Sequence, residues 1–167
     1  LTTGSDHIFI GYDAGTAVAA SQTTTDGSIG IGRDALKALT SGAGNTAIGY
    51  QAGDDLTDGT HNTIIGYQAG DDLLSGTAFN VIIGSGAMGG SSTSGGSDYN
   101  VAIGYQAMGT GARNNADNNV AVGYQALNSL TTGDDNIAIG ANALDAENTG
   151  NENIAIGKNA LGVAANG

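Results

Sequence analysis

The 167-residue chain has no cysteine, no proline and no tryptophan, and only two histidines. Without cysteine there are no disulfides, no thiolate metal sites and no thiol nucleophile, although the compartment stays open. Aromatic residues make up 5% and charged residues 12%. The large Leu, Phe and Trp side chains that fill a wide core are scarce. Four basic residues stand against sixteen acidic ones, a net charge of −12. That excludes a phosphate-binding nucleic-acid surface, which needs clustered Lys and Arg, and it opposes anionic membranes. No apolar run of about 20 residues is present to insert in a bilayer as a helix. No signal peptide is visible and the chain starts at Leu1, which predicts a mature chain or a piece of a longer one.

What is abundant is glycine, 30 residues of it, and much of it is periodic. An anchor glycine recurs at Gly11, Gly32, Gly49, Gly66, Gly84, Gly104, Gly123, Gly140 and Gly157, at spacings of 17 to 21 residues. "NTAIGYQAGDDL" (45–56) and "NTIIGYQAGDDL" (62–73) show the unit most clearly. The residue before each anchor is Ile or Val: Ile10, Ile31, Ile48, Ile65, Ile83, Ile103, Val122, Ile139 and Ile156. Three before it stands a β-branched residue, from Ile8 to Ile154, and between the two lies mostly Ala. Three after it is always Ala, and four before it is Asn in seven units.

β-branched residues two apart share one face of a strand. Each unit therefore predicts a strand of about five residues, with Ile and Val inward as a core ladder (Ile48, Ile65, Ile83, Ile103, Val122, Ile139, Ile156). The small column between them (Ala47, Ala102, Ala121, Ala138, Ala155) faces the other way, as the candidate close contact between chains. The anchor Gly turns the backbone, "YQAL" or "YQAG" makes a second short strand, and a Gly/Thr/Asp/Ser loop closes the unit. Recurring Gly breaks any helix of about 12 residues, leaving at most a single turn per loop. Strand, turn, strand and loop, nine times over, is an all-β fold: a β-solenoid, or parallel β-roll, of about nine coils of 17–21 residues. It forms one repeat array over residues 1–167, roughly 43 Å long at about 4.8 Å per coil. The Asn column can form an amide ladder.

The unit "N-[TVI]-A-I-G-x-x-A", clearest at Asn100–Gly104, Asn136–Gly140 and Asn153–Gly157, resembles the head repeats of trimeric autotransporter adhesins. "NTAIGYQAG" is also similar to repeat arrays of phage tail-fibre proteins. The resemblance covers Asp6 to Leu161, although the adhesin units are commonly shorter than these. It implies a parallel homotrimer, exposure outside the cell on a cell surface or virion fibre, and attachment to a host surface glycan or protein. It brings no catalytic residues. The residues point to oligomerisation independently, because one thin coil buries little apolar surface and both strand faces are apolar. No polar cap is evident, and Leu1-Thr2-Thr3-Gly4 matches Leu130-Thr131-Thr132-Gly133, so copies stacked end to end would continue the register.

Asp54, Asp55, Asp71 and Asp72 fall at matching positions of successive coils. They form either a solvated acidic rim, the favoured reading, or a cation site of carboxylate oxygens suited to Ca²⁺. No other cofactor is implied. Tyr50, Tyr67, Tyr105 and Tyr124 each follow an anchor Gly, as does Tyr12; they are either a structural ladder, again favoured, or a strip for a sugar or partner. Arg33, Ser85, Ala141 and Lys158 break that column. Thr46 and Thr63 occupy a column read as inward, which disfavours an ice-binding face. His61 near Asp58 is weak support for catalysis, and no "GK[ST]" follows the Gly-rich 84–90 stretch, so no enzyme is expected. The expected function is a structural, adhesive fibre module with a stiff acidic surface and any binding in the loops at 89–99 and 109–119. The alternative is a subunit of a self-assembling extracellular filament built by end-to-end stacking.

Overall fold

The computed structural model describes residues 6–18, 26–73, 75–90, 95–111, 114–146 and 149–162. The matched chain termini and parts of the 89–99 and 109–119 loops lie outside the described residues. The structure is all-β: nine strands in one parallel sheet, wound as a solenoid of about eight turns. The strands are β1 (Ile8–Ile10), β2 (Ile29–Ile31), β3 (Thr46–Ile48), β4 (Thr63–Ile65), β5 (Val81–Ile83), β6 (Val101–Ile103), β7 (Val120–Val122), β8 (Ile137–Ile139) and β9 (Ile154–Ile156). Neighbours in sequence are neighbours in the sheet, in strict repeat register, as in Ala47 opposite Ile64 and Ala102 opposite Ala121.

Each strand is three residues long rather than about five, because the chain bends on both sides. The residue five before the anchor has positive φ in every coil, as at His61 (57°), Phe79 (59°) and Tyr99 (59°). The anchor follows the strand at once, with Gly49 at φ 144°. A Cβ on Gly49 would collide with the carbonyl oxygen of Gly66, so backbone packs on backbone along this column.

The expected second strand is absent. In its place is a tight turn with left-handed residues two and four after the anchor, such as Gln125 (52°) and Leu127 (50°). That alternation breaks a pleat, yet the backbone still bonds to its neighbours: Gln68 N–H donates to the Tyr50 carbonyl at 2.8 Å, and Gly53 N–H to that of Ala69 at 3.0 Å.

The Asn column lies inside, and Asn45, Asn62, Asn80, Asn100, Asn119 and Asn136 are essentially inaccessible to solvent. Each Oδ1 from Asn45 on accepts the backbone N–H of the next Asn, as in Asn119 N–H to Asn100 (2.8 Å) and Asn136 N–H to Asn119 (2.9 Å). Each Nδ2 donates to the carbonyl that ends the next coil's loop: Asn100 to Ala116 (2.8 Å), Asn119 to Gly133 (2.9 Å). The earliest coils use other acceptors for the same task. Ser28 Oγ takes the Asn45 N–H at 3.3 Å, and His7 Nδ1 takes that of Ser28 at 3.4 Å.

The two strand faces are reversed from expectation. Ala47, Ala102, Ala121 and Ala138 have no exposed area and Ala155 has 2%, so the Ala column is core and not a chain-to-chain contact. The expected core ladder is on the outside. Ile48 is 37% exposed, Ile139 40% and Ile156 67%, with Ile65, Ile83, Ile103 and Val122 half-buried on the same face. The cause is the width of the coil. Its interior is already crossed by Leu36, Met88, Met108, Leu127 and Leu144, four after the anchor, and by Leu39, Leu56, Leu73 and Leu130, seven after it. Little more than a methyl fits between them and the strand.

Exceptions to the Ala rule follow from the same limit. Gly53 and Gly70 replace the Leu or Met four after the anchor, and the side chains of Ile64 and Ile82 reach over them. Phe9 likewise lies over Gly15 and Gly30. The single difference between the twin stretches, Ala47 against Ile64, is therefore volume compensation between successive coils, Ile64 filling the space over Gly53 of the coil before it.

Two outcomes follow. Ala121→Leu overpacks the interior and should cost about 1–3 kcal/mol, whereas Val122→Thr, one residue on, should stay within about 0.5 kcal/mol for single chains. Equal effects in denaturant unfolding at low protein concentration would refute the inside–outside assignment. Asn100→Ala leaves the Asn119 N–H and the Ala116 carbonyl without buried partners and should cost at least about 2 kcal/mol by the same measurement.

Candidate functional site on the outer face

Outward positions on the strand side come at one, three and five before the anchor and one after it. From five to one before the anchor the chain alternates, exposed or half-exposed against buried, in nearly every coil; the anchor itself is half-exposed in most coils and the residue after it is exposed or half-exposed. The result is a face four columns wide. Two central columns are β-branched and two edge columns are largely polar or aromatic. The exposed large side chains on it include Ile8, Ile10, Ile48, Ile139, Ile154 and Ile156. Its two β-branched columns run about 40 Å along the rod and roughly 10 Å across, roughly 400 Å² from strand spacing and rise. The largest apolar patch on a single-chain protein is about 300–600 Å² and is often functional. On a chain of net charge −12, this face is the feature that calls for a partner.

The edge after the anchor carries the tyrosines. Tyr50 stacks on Tyr67 with ring centroids 5.2 Å apart, and Tyr105 on Tyr124 at 5.4 Å. The Arg33 guanidinium fills a break in the column, 5.5 Å from the Tyr12 ring and 5.9 Å from that of Tyr50. Tyr67, Tyr105 and Tyr124 are about half exposed. Beneath them Gln68 Nε2 donates to Gln51 Oε1 at 3.0 Å, and Gln125 Nε2 to Gln106 Oε1 at 2.9 Å. In the β5 coil "SG" (85–86) replaces "YQ", interrupting both columns at one height.

The opposite edge is a second aromatic stack not expected from the sequence. His61 lies on Phe79 (5.0 Å, 4° between planes) and Phe79 on Tyr99 (5.1 Å, 1°), with Phe79 and Tyr99 exposed. The signal was an aromatic five before the anchor in three successive units; other units hold Asp, Gly, Asn or Glu there, which hid it. His61 is thus part of a ring stack. Thr46 and Thr63 also point outward, not inward, but in only two of nine coils, too few for a Thr-ranked face.

The acidic loop residues lie away from this face. Burial first, then the neighbouring carboxylates, raises Asp54 and Asp71 to about 6. Asp55 and Asp71 repel Asp54; Asp72 is the main charged neighbour of Asp71. Asp71 Oδ1 is buried without a hydrogen-bond partner. Among the described residues no group of three or more His, Cys, Asp or Glu is placed to hold a metal ion, so Asp54, Asp55, Asp71 and Asp72 are not gathered into a donor set. Other acidic residues serve the backbone: Asp117 Oδ1 accepts the Asp98 N–H, and Asp134 Oδ1 that of Asp117, both at 2.8 Å.

A carboxyl whose pKa is higher folded than unfolded favours the fold while protonated. That stability is complete below the ordinary value of 3.8 and is lost as pH rises through about 6. The rod should therefore resist denaturant better at pH 4 than at pH 7 as far as these two groups decide it. Asp54→Asn with Asp71→Asn should raise the denaturation midpoint at pH 7 and leave it unchanged at pH 4; Asn128 already stands in their column. A stabilisation equal at both pH values would contradict the repulsion. No protein family, characterised protein or solved structure matches this chain, so the role of the outer face has to be argued from its own chemistry.

Proposed function

We propose that the chain is a non-catalytic structural module of an extracellular fibre: a stiff solenoid that associates with parallel copies of itself, as a homotrimer, through its outer face. The observation that carries this reading is the continuous Ile/Val face, left uncovered along the whole rod. Its two β-branched columns, roughly 400 Å² by strand spacing and rise, supply an apolar interface centre with the polar and aromatic columns as its rim. Its β-branched rows repeat at the pitch of the coils, so a second copy has matching rows. The likeness of "NTAIGYQAG" and "NIAIG" to fibre and adhesin repeats supports the same reading. Association through the Ile/Val face leaves the acidic loops on the outside, where attachment to a surface glycan or protein would take place. Among the described residues no helix is long and apolar enough to cross a membrane.

A second reading has its own observation. β1 and β9 each have one partner strand in the sheet, which leaves a backbone ladder free at either end of the described solenoid. End-to-end pairing of those ladders would build a filament, with no receptor role.

Sedimentation of the purified chain across micromolar concentrations separates the two. A discrete mass of three chains is expected. Species that lengthen without limit as concentration rises would favour the filament, and a monomer throughout would refute both.

A further inference from the structure

The tyrosine column is broken at one height, and the break is a slot with two aromatic walls. Tyr67 and Tyr105 stand two coils apart, roughly 10 Å by strand spacing, with only Ser85 between them. Tyr12 and Tyr50 are also two coils apart, and there the chain fills the gap itself: the Arg33 guanidinium lies 5.5 Å from one ring and 5.9 Å from the other. A gap of this kind therefore takes one flat group between its walls. Over Ser85 it is open. Tyr67 is 55% exposed, whereas Tyr50, between Arg33 and Tyr67, is 37% exposed. The floor of the slot is polar. Gly86 stands where the coils on either side carry glutamine. Gln68 donates its Nε2 to Gln51, and Gln106 Oε1 accepts from Gln125. Gln68 Oε1 and Gln106 Nε2 are left with no amide between them, and the half-buried Ser85 hydroxyl lies at the same height.

We infer that this slot binds one pyranose ring of a neutral sugar whose hydroxyls are all equatorial, of the β-glucopyranose type. The inference adds a carbohydrate contact to the proposed fibre and does not rest on self-association, since it needs only the edge of a single rod. The floor decides the class of ligand. Arg33 is held in its gap by the Asp34 carboxylate, 3.3 Å from Nε. The slot has Gly86 in that position, and Gln106 Nε2 brings a donor to it, so a cation has no counter-charge there. A bare aromatic ring would cover Gln68 Oε1, Gln106 Nε2 and Ser85 Oγ without returning the hydrogen bonds that water gave them. A pyranose supplies donor and acceptor together. Its hydroxyls radiate in the plane of the ring, the inner ones toward the floor and the outer ones to solvent. Its C–H faces suit the negative faces of the two tyrosine rings. Both faces are covered, so an axial hydroxyl on either side would press against a tyrosine without a partner, which selects the all-equatorial ring. The net charge of −12 disfavours an acidic sugar.

The test is titration of the full chain with methyl β-D-glucopyranoside, read from the tyrosine ring-proton NMR signals. Saturable shifts are expected, with a dissociation constant of about 1–10 mM, as one small ring in an open slot allows. Methyl β-D-galactopyranoside and methyl α-D-mannopyranoside, each with an axial hydroxyl, should bind at least about tenfold more weakly. Ser85→Tyr closes the slot with the residue that five other coils carry there; it should abolish the shifts and leave the unfolding midpoint unchanged. Tyr105→Ser removes one wall and should weaken binding about tenfold. No saturable shift in the wild type, or equal binding by Ser85→Tyr, overturns the inference. Equal binding of the three sugars does so too, since a ring held on both faces cannot ignore an axial hydroxyl. Tighter binding of phenol or methylguanidinium than of the glucoside would assign the slot to an aromatic or arginine side chain of a partner and overturn the sugar. Sedimentation of the same samples reports self-association separately, so the fibre reading is judged on its own measurement.

Discussion

The buried column of asparagine amides is what the rest of this structure depends on. Each coil has only three strand residues, and although the turn continues the backbone ladder to the next coil, the bend before the strand has to be tied by side chains. The Asn amide supplies what the strand does not: its oxygen receives the backbone N–H of the next coil, and its nitrogen closes that coil's loop on a carbonyl. Both ends of that exchange are fully buried, so an unmade bond would leave a dry donor or acceptor rather than one returned to water. Removing one amide therefore strands groups in two coils, which makes the column cooperative as well as stabilising.

A closed coil of this size has a narrow interior, and that one limit explains the distribution of side chains. Leu and Met enter from the turn side and occupy the middle, so the strand offers Ala in most coils, and Ile where the preceding coil's turn offers Gly. The β-branched residues that favour a strand backbone are then confined to its other face. An acidic chain thus acquires a broad apolar wall without any lapse in folding; the wall is what is left once the core is full. Its edges are finished with ring stacks and one guanidinium, whose pitch is imposed by the sheet.

The repeat, the anchor glycine, the parallel stacking and the Asn ladder were legible because each is a matter of period and residue type. The side of the strand that faces in was not. Alternation separates two faces but does not label them, and the usual guide, large apolar side chains inside, fails where the interior is filled from elsewhere. Ile48 and Ala47 were for that reason assigned to the wrong sides. The "YQAG" turn was read as a strand because left-handed backbone at Gln51 or Leu127 leaves no mark in composition: neither residue type favours it. The His61–Phe79–Tyr99 stack escaped notice since its column holds seven residue types across the nine coils.

The sequence by itself determined that this chain stacks coil on coil at a fixed pitch, with small residues where backbones meet, since only glycine can sit where one anchor packs on the next. Tertiary structure alone decided which face became core and which became surface, because that depends on how much room a closed coil leaves once Leu, Met and Asn from other parts of the turn have entered it.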